Sequence, residues 1–237
     1  VGKWIAVCFG PSGTALFGQM MNLYATYANI PNDGLSRAMV KEGAHAHQQE
    51  DDEATEIAVH NGLALLGILL VLEWLIAGII YLFTNWFEPF ESEGNLFWML
   101  LFFGALSACY FAGNMFLVWK KTQYQVLSMT FLSFGGLLGI LAVSLLGYGI
   151  QACLLGFLGG QTAGGVLFFL FTRKALPLKR FQLSWNQQLA KRMIVFTLTL
   201  ASTGLIHQVA NYSLVHWAID TMGTQKVGLW MAMNRFA

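Results

Sequence analysis

The chain has 237 residues, of which 56% are apolar and only 11% charged, less than half the roughly 25% charge of an ordinary soluble protein. Nineteen Phe and eight Trp add to the hydrocarbon, and the few polar residues cannot clothe that much of it in water, which excludes a soluble globular fold. A net charge of +1 excludes the strongly basic face that nucleic-acid binding needs. Cys8, Cys109 and Cys153 lie far apart in apolar stretches, so they read as small apolar fillers rather than a disulfide framework or a zinc site. No signal peptide is recognisable. The chain opens at Val1 already inside apolar sequence and stops a few residues into another apolar segment, which reads as part of a longer protein.

Lipid permits only helices or closed barrels, and a spanning helix takes about 20 mostly apolar residues. The apolar runs are too long and continuous for barrel strands, so the predicted fold is an all-α polytopic membrane protein. In chain order the predicted spans are 1–9, 14–31, 57–83, 96–118, 127–146, 150–172 and 193–217, with an eighth starting near 226. Phe9–Gly13, Thr84–Asn95, Leu146–Gly149 and Ala218–Gln225 connect them on one side, and residues 36–56, 119–126 and 173–192 on the other. Ten of the thirteen basic residues fall on the second side: Arg37, Lys41, Lys120, Lys121, Arg173, Lys174, Lys179, Arg180, Lys191 and Arg192. The positive-inside rule makes that side, and the N-terminus, cytoplasmic. Glu88, Glu91 and Glu93 then face outward.

Two cations fit no connection. Lys3 lies about 9 Å below the outer end of the first span, and Arg235 roughly 13 Å down the eighth, at 1.5 Å per residue. Charge at that depth is costly unless it meets water, a partner or an anion. Both are therefore expected to face a lumen, the alternative being strained snorkelling.

The second span is the least apolar. Gln19, Asn22, Thr26, Asn29 and Asp33 follow steps of three and four, and Arg37 continues the series. Helical periodicity puts them on one face, and so many in register point to a hydrated cavity rather than to isolated interhelical hydrogen bonds. Pro31 and Gly34 interrupt this stretch. The seventh span carries a similar line at Thr199, Thr203, His207 and Asn211. By contrast Gly135 and Gly139, and Gly156, Gly160 and Gly164, recur every fourth residue, the spacing of closely packed helices. Glu73 stands amid Leu, Trp and Ile in the third span, either as an ion-coupling carboxylate or simply carrying its proton. His207 reads as a neutral hydrogen-bonding group of the lumen. His45 and His47, two residues apart, do not share a helical face, so no metal site is expected there. The acids Glu50, Asp51, Asp52 and Glu53 that follow suit the start of the third span through the helix dipole.

An internal echo accompanies this pattern. Gly10-Pro11-Ser12-Gly13 leads into Ala15-Leu16-Phe17-Gly18-Gln19-Met20-Met21-Asn22, and Gly223 leads into Val227-Gly228-Leu229-Trp230-Met231-Ala232-Met233-Asn234. A shift near 212 residues implies two six-helix halves related by an axis along the membrane normal. Residues 1–172 would form the first lobe, 173–192 a basic cytoplasmic linker, and 193–237 the start of the second lobe.

Val1-Gly2-Lys3, Phe9-Gly10-Pro11-Ser12-Gly13, Val40-Lys41, Leu176-Pro177-Leu178, Ser184-Trp185 and Val227-Gly228-Leu229-Trp230, in that order, resemble the Wzx-type polysaccharide flippases of the MOP exporter superfamily over the first half or slightly more of a member. Pro31 and Asp33 depart from the small-residue stretch expected there. The resemblance implies a MOP/MATE-like bundle in the bacterial inner membrane, without a cofactor, that turns oligosaccharide linked to undecaprenyl diphosphate from the inner to the outer leaflet. Membrane lipids, and other polysaccharide assembly proteins, would be its partners. Lys3, Arg235 and Arg37 would then serve the diphosphate, and Gln19, Asn22, Asn29, His207 and Asn211 the sugars, with Glu73 as a coupling candidate. Rival readings are an ion-coupled multidrug exporter of the same superfamily and a membrane glycosyltransferase or polymerase. The last would need clustered acids or a large outer loop bearing them; no His/Asp/Ser arrangement clusters in one loop and the outer loops are too short to house an active site, so no enzyme is expected.

Overall fold

The computed structural model describes residues 1–83, 87, 95–176 and 185–234. Among them every regular element is helical: α1 (Gly2–Ala28), a π-helical segment (Asn29–Leu35), α2 (Ser36–Gln48), α3 (Asp52–Phe83), α4 (Asn95–Val118), α5 (Thr122–Leu145), α6 (Ile150–Thr172), a 3-10 turn (Arg173–Ala175), α7 (Gln187–Met222) and α8 (Thr224–Asn234). Helices α3 to α7 are each long and apolar enough to cross a membrane. Their outward faces expose Val71, Leu75, Phe134, Leu138, Phe171 and Leu198, a surface that only hydrocarbon can solvate. Glu88, Glu91, Glu93, Lys179, Arg180 and Arg235 lie outside the described residues.

The first two predicted spans join at Gly10, whose φ of 64° and ψ of −161° break α1. Pro11 follows at the start of the next helical turn, where its missing N–H costs nothing. The two arms fold onto one another: a β-carbon at Gly13 would lie 3.5 Å from Ile5, although eight helical residues span about 12 Å. Gly223, between α7 and α8, also has a positive φ with an extended ψ, φ 81° and ψ 155°. Positive φ of this kind favours glycine. The two glycines of the echo thus both turn the chain at the same end of the bundle.

The other end differs from the sequence-based expectation. Residues 36–56, read as a connection, are almost wholly helical: α2 continues the π-helical segment to Gln48, and only Gln49–Asp51 separates it from α3. Asp51 caps α3 by accepting from the Ala54 N–H at 2.9 Å, and Asp52 and Glu53 occupy its first turn, as the helix dipole favours. Ala38 and Met39 of α2 are fully buried, and glycines let the neighbours close in. A β-carbon at Gly43 would meet Val118 of α4 at 2.8 Å, and one at Gly62 would meet Met39 at 2.9 Å.

Aromatic packing fills both ends. Phe17 meets Phe157 edge-on at 5.5 Å near the glycine turns, and Phe116 stacks on Tyr124 at 4.9 Å near the basic end. Between α5 and α6 the backbones themselves touch. A β-carbon at Gly135, Gly139, Gly160 or Gly164 would overlap a carbonyl oxygen of the facing helix, so the four-residue glycine spacing is a packing seam. Finally, the fully buried Asn61 of α3 brackets the backbone ahead of α7. It donates to the Asn186 carbonyl at 3.2 Å and accepts from the Asn186 N–H at 3.1 Å, while the Asn186 side chain caps α7 through the Leu189 N–H.

Candidate functional site

The π-helical segment decides where the polar residues of the second span point. Pro31 has no N–H to give and its ring crowds the preceding turn. The ladder resumes with a wider step in which the Ser36 N–H donates to the Pro31 carbonyl. An extra residue in the ladder rotates everything beyond it by about 100°. The six polar residues therefore do not share one face.

Ahead of Pro31, the stripe packs on α7. Gln19, fully buried, shares a hydrogen bond with His216 Nδ1 at 3.1 Å, and His216 Nε2 lies 3.6 Å from Asp220. Asn29 is buried against Gly204, where a β-carbon would meet its amide nitrogen at 2.5 Å. Asn22 is half-buried, and its carbonyl accepts from Thr26. Gly34 brings α7 close in turn, since a β-carbon there would meet Thr197 at 2.7 Å.

A cavity of about 660 Å³ runs beside the helix from Met21 to Lys41, with Met21, Tyr24, Ala25 and Ala28 lining its first part and Asn32, Asp33, Ser36, Arg37 and Lys41 the rest. Its polar lining comes from five elements besides α1: Asn32, Asp33, Ser36, Arg37 and Lys41 along the π-helical segment and α2, Asn114 on α4, Gln125 on α5 and Gln208 on α7. Arg37 pairs with Asp33 at 3.0 Å, both side chains more than half exposed. Asn114 donates to Ser36 Oγ at 2.7 Å. Two cations and one carboxylate leave this lining net positive by one. Arg37 is the predicted site residue found here. Asn114, Gln125 and Gln208 were not anticipated, although Asn114, alone among Phe, Met and Leu, carries the same signal as the stripe.

The remaining predicted residues stand elsewhere. Lys3 is exposed on the first arm of α1 and does not line the cavity. His207 and Asn211 hydrogen-bond one another at 3.0 Å on an outer face of α7. Arg235 lies outside the described residues. Glu73 is buried, and among the described residues neither carboxylate oxygen has a hydrogen-bond partner. It borders a separate cavity of about 360 Å³, almost wholly apolar, with Tyr27 and Thr26 opposite. A bare carboxylate enclosed by hydrocarbon needs a proton or a cation for company.

At the glycine-turn end α1 packs against α7 and α8. Ala15, Val215, Ala218, Ile219 and Val227 form one buried cluster. A β-carbon at Gly18 would meet the Met231 sulfur at 2.7 Å, and Thr224 Oγ1 donates to Ser12 Oγ at 3.3 Å. Ser12 and Thr224 are 212 residues apart, as are Ala15 and Val227. Residues one echo-length apart thus lie side by side along this seam.

The profile of the family described as "Polysaccharide biosynthesis protein" matches residues 5–237. The chain belongs to this family. Among curated proteins, none matches it significantly. Of the solved structures, one described as an inward-facing conformation of a multidrug resistance MATE family transporter of the MOP superfamily is similar, with a TM-score of 0.66 and 17% identity. That likeness covers 99% of this chain and 55% of the transporter, so the chain spans about half its length. The family and the fold agree with the resemblance read from Phe9–Gly13 and Val227–Trp230. The protein is a multi-pass, all-helical membrane protein of a polysaccharide biosynthesis family with a MOP/MATE-like fold.

Proposed function

We propose that the chain supplies the first lobe and the opening of the second lobe of a flippase in the bacterial inner membrane. Its substrate would be an oligosaccharide on undecaprenyl diphosphate, moved from the inner to the outer leaflet by alternating access. One observation carries this reading: a cavity of about 660 Å³ combines Arg37 and Lys41 with a wall of Asn, Ser and Gln, beneath an end where α1 packs against α8. Cations compensate a diphosphate leaving water, and amide and hydroxyl groups replace the water around sugars. The basic end is cytoplasmic by the positive-inside rule, which sets the cavity toward the leaflet where the substrate would load. Arg37 would then be a first capture point for the diphosphate near the cytoplasmic mouth.

The test is Arg37→Ala in the intact protein, reading lipid-linked oligosaccharide on each leaflet. Loss of a charge-assisted contact should lower flipping roughly tenfold, about 1.4 kcal/mol. Arg37→Ala flipping at the unmodified rate would falsify the reading. A second reading, export of lipophilic cations, is favoured by the apolar cavity around Glu73. In that case Glu73→Gln abolishes transport in the same cells and Arg37→Ala leaves it intact.

A further inference from the structure

A second large cavity, about 700 Å³, lies between α2 and the start of α7. Among the described residues it carries three cations, Lys41, Lys191 and Arg192, and one acid, Glu42. Arg192 reaches Glu42 at 3.3 Å, and the Lys41 ammonium stands 4.3 Å over the Phe196 ring. Three positive charges against one negative leave the lining net positive by two, more than the first cavity, where Arg37 and Lys41 face Asp33. One turn further along α7 the exposed side chains become Ile194, Val195 and Leu198. This cavity therefore sits where the surface changes from basic to lipid-facing. Lys41 lines both cavities, and Arg37 lies one turn below it on the same helix.

We propose that this groove between α2 and α7 is a docking site for the phosphate of a membrane-anchored anion. Lys41 is the residue that passes the phosphate from the groove to Arg37. The physical case is amphipathic: a phosphorylated lipid keeps its chain in hydrocarbon and its charge at the boundary, and basic clusters at that level attract it. The greater positive charge of the groove makes it the first station, and the shared lysine gives a route inward without a free charge in oil. The transfer role of Lys41 rests on the flippase reading; the docking site itself does not.

The experiment reconstitutes the intact protein in phosphatidylcholine nanodiscs and counts retained lipid by native mass spectrometry. One arm adds undecaprenyl diphosphate and the other adds phosphatidylglycerol. Lys41→Gln with Lys191→Gln and Arg192→Gln should weaken retention at least about tenfold, since the groove then loses all three of its cations and keeps its acid. Glu42→Gln removes the competing acid and should tighten retention, which keeps the test decisive if the triple variant folds poorly. The arm that responds more strongly identifies the lipid: the isoprenoid arm assigns the groove to substrate, the phosphatidylglycerol arm to bulk headgroups. Retention unchanged in both arms, in both variants, overturns the proposal. The flippase reading fails separately, when Arg37→Ala leaves transport intact whatever the groove retains.

Discussion

Gly139→Leu is expected to destabilise the protein by about 3 kcal/mol or more, read as a fall in the detergent-unfolding midpoint of its helical signal. A β-carbon at Gly139 would overlap the Gly156 carbonyl oxygen and lie 3.0 Å from the Gly160 Cα. Backbone cannot step aside as a flexible side chain can, so α5 and α6 must separate along their length. Separation also strips contacts from Gly135, Gly160 and Gly164, which touch the facing backbone in the same register. In lipid no hydrophobic force drives the helices back together, because the displaced surface is as well solvated by acyl chains. Gly67→Ala is the control. Nothing lies within 4 Å of a β-carbon there, and alanine favours the helix by roughly 0.5–1 kcal/mol, so its midpoint should stay or rise. Equal midpoints for Gly139→Leu and the unmodified protein would mean that the two backbones are not in contact.

The glycine seam shows which parts of the molecule were legible beforehand and why. Spacing of four among glycines has one economical meaning in a membrane, and the spans themselves follow from apolar length. The turns at Gly10 and Gly223 were readable because glycine is needed where φ is positive, and the echo around them rests on short-range sequence that survives as shape. Helix α2 was not recognised, since Ser36–Gln48 is polar enough to pass for a connection. Its signal lies in Leu35, Met39, Gly43 and Ala46, spaced by four, four and three, the buried line that meets α3 and α4.

The candidate site was harder to read for a different reason. A stripe inferred from 3.6-residue periodicity stays in phase only while the ladder stays α-helical, and Pro31 ends that. Residues before it, such as Gln19 and Asn29, became interhelical contacts, whereas Asn32, Ser36, Arg37 and Lys41 turned into the passage. On α7 the same angular sensitivity separates His207 from Gln208: one residue is about 100° of rotation, and it is Gln208 that lines the cavity. Which single polar residues of α4 and α5 converge on that space depends on helix packing, which no periodicity within one helix contains.

Joining Ser12→Cys to Thr224→Cys should arrest transport under oxidising conditions and restore it on reduction. The two hydroxyl oxygens lie 3.3 Å apart, a separation compatible with the β-carbon spacing of about 3.5–4.5 Å that a disulfide requires. Thr224 follows Gly223 directly and Ser12 follows Gly10 after Pro11, so the chain at each site is held by a helix start rather than by a mobile loop. Cys8 is exposed, and Cys109 and Cys153 are also free, so all three are first replaced by Ala to keep the new pair from exchanging. If the lobes rock about the Arg37 cavity, the seam of Ser12, Ala15, Thr224 and Val227 must part for the outer end to open. A covalent bond across it removes that state altogether, whereas a mere packing contact would only shift its population. The Gln19–His216 contact lies along the same interface, so Gln19→Ala should act in the opposite sense and favour the open outer end. Full transport by the cross-linked protein would show that α1 and α8 move as one body, and with that the rocking motion is lost as the mechanism.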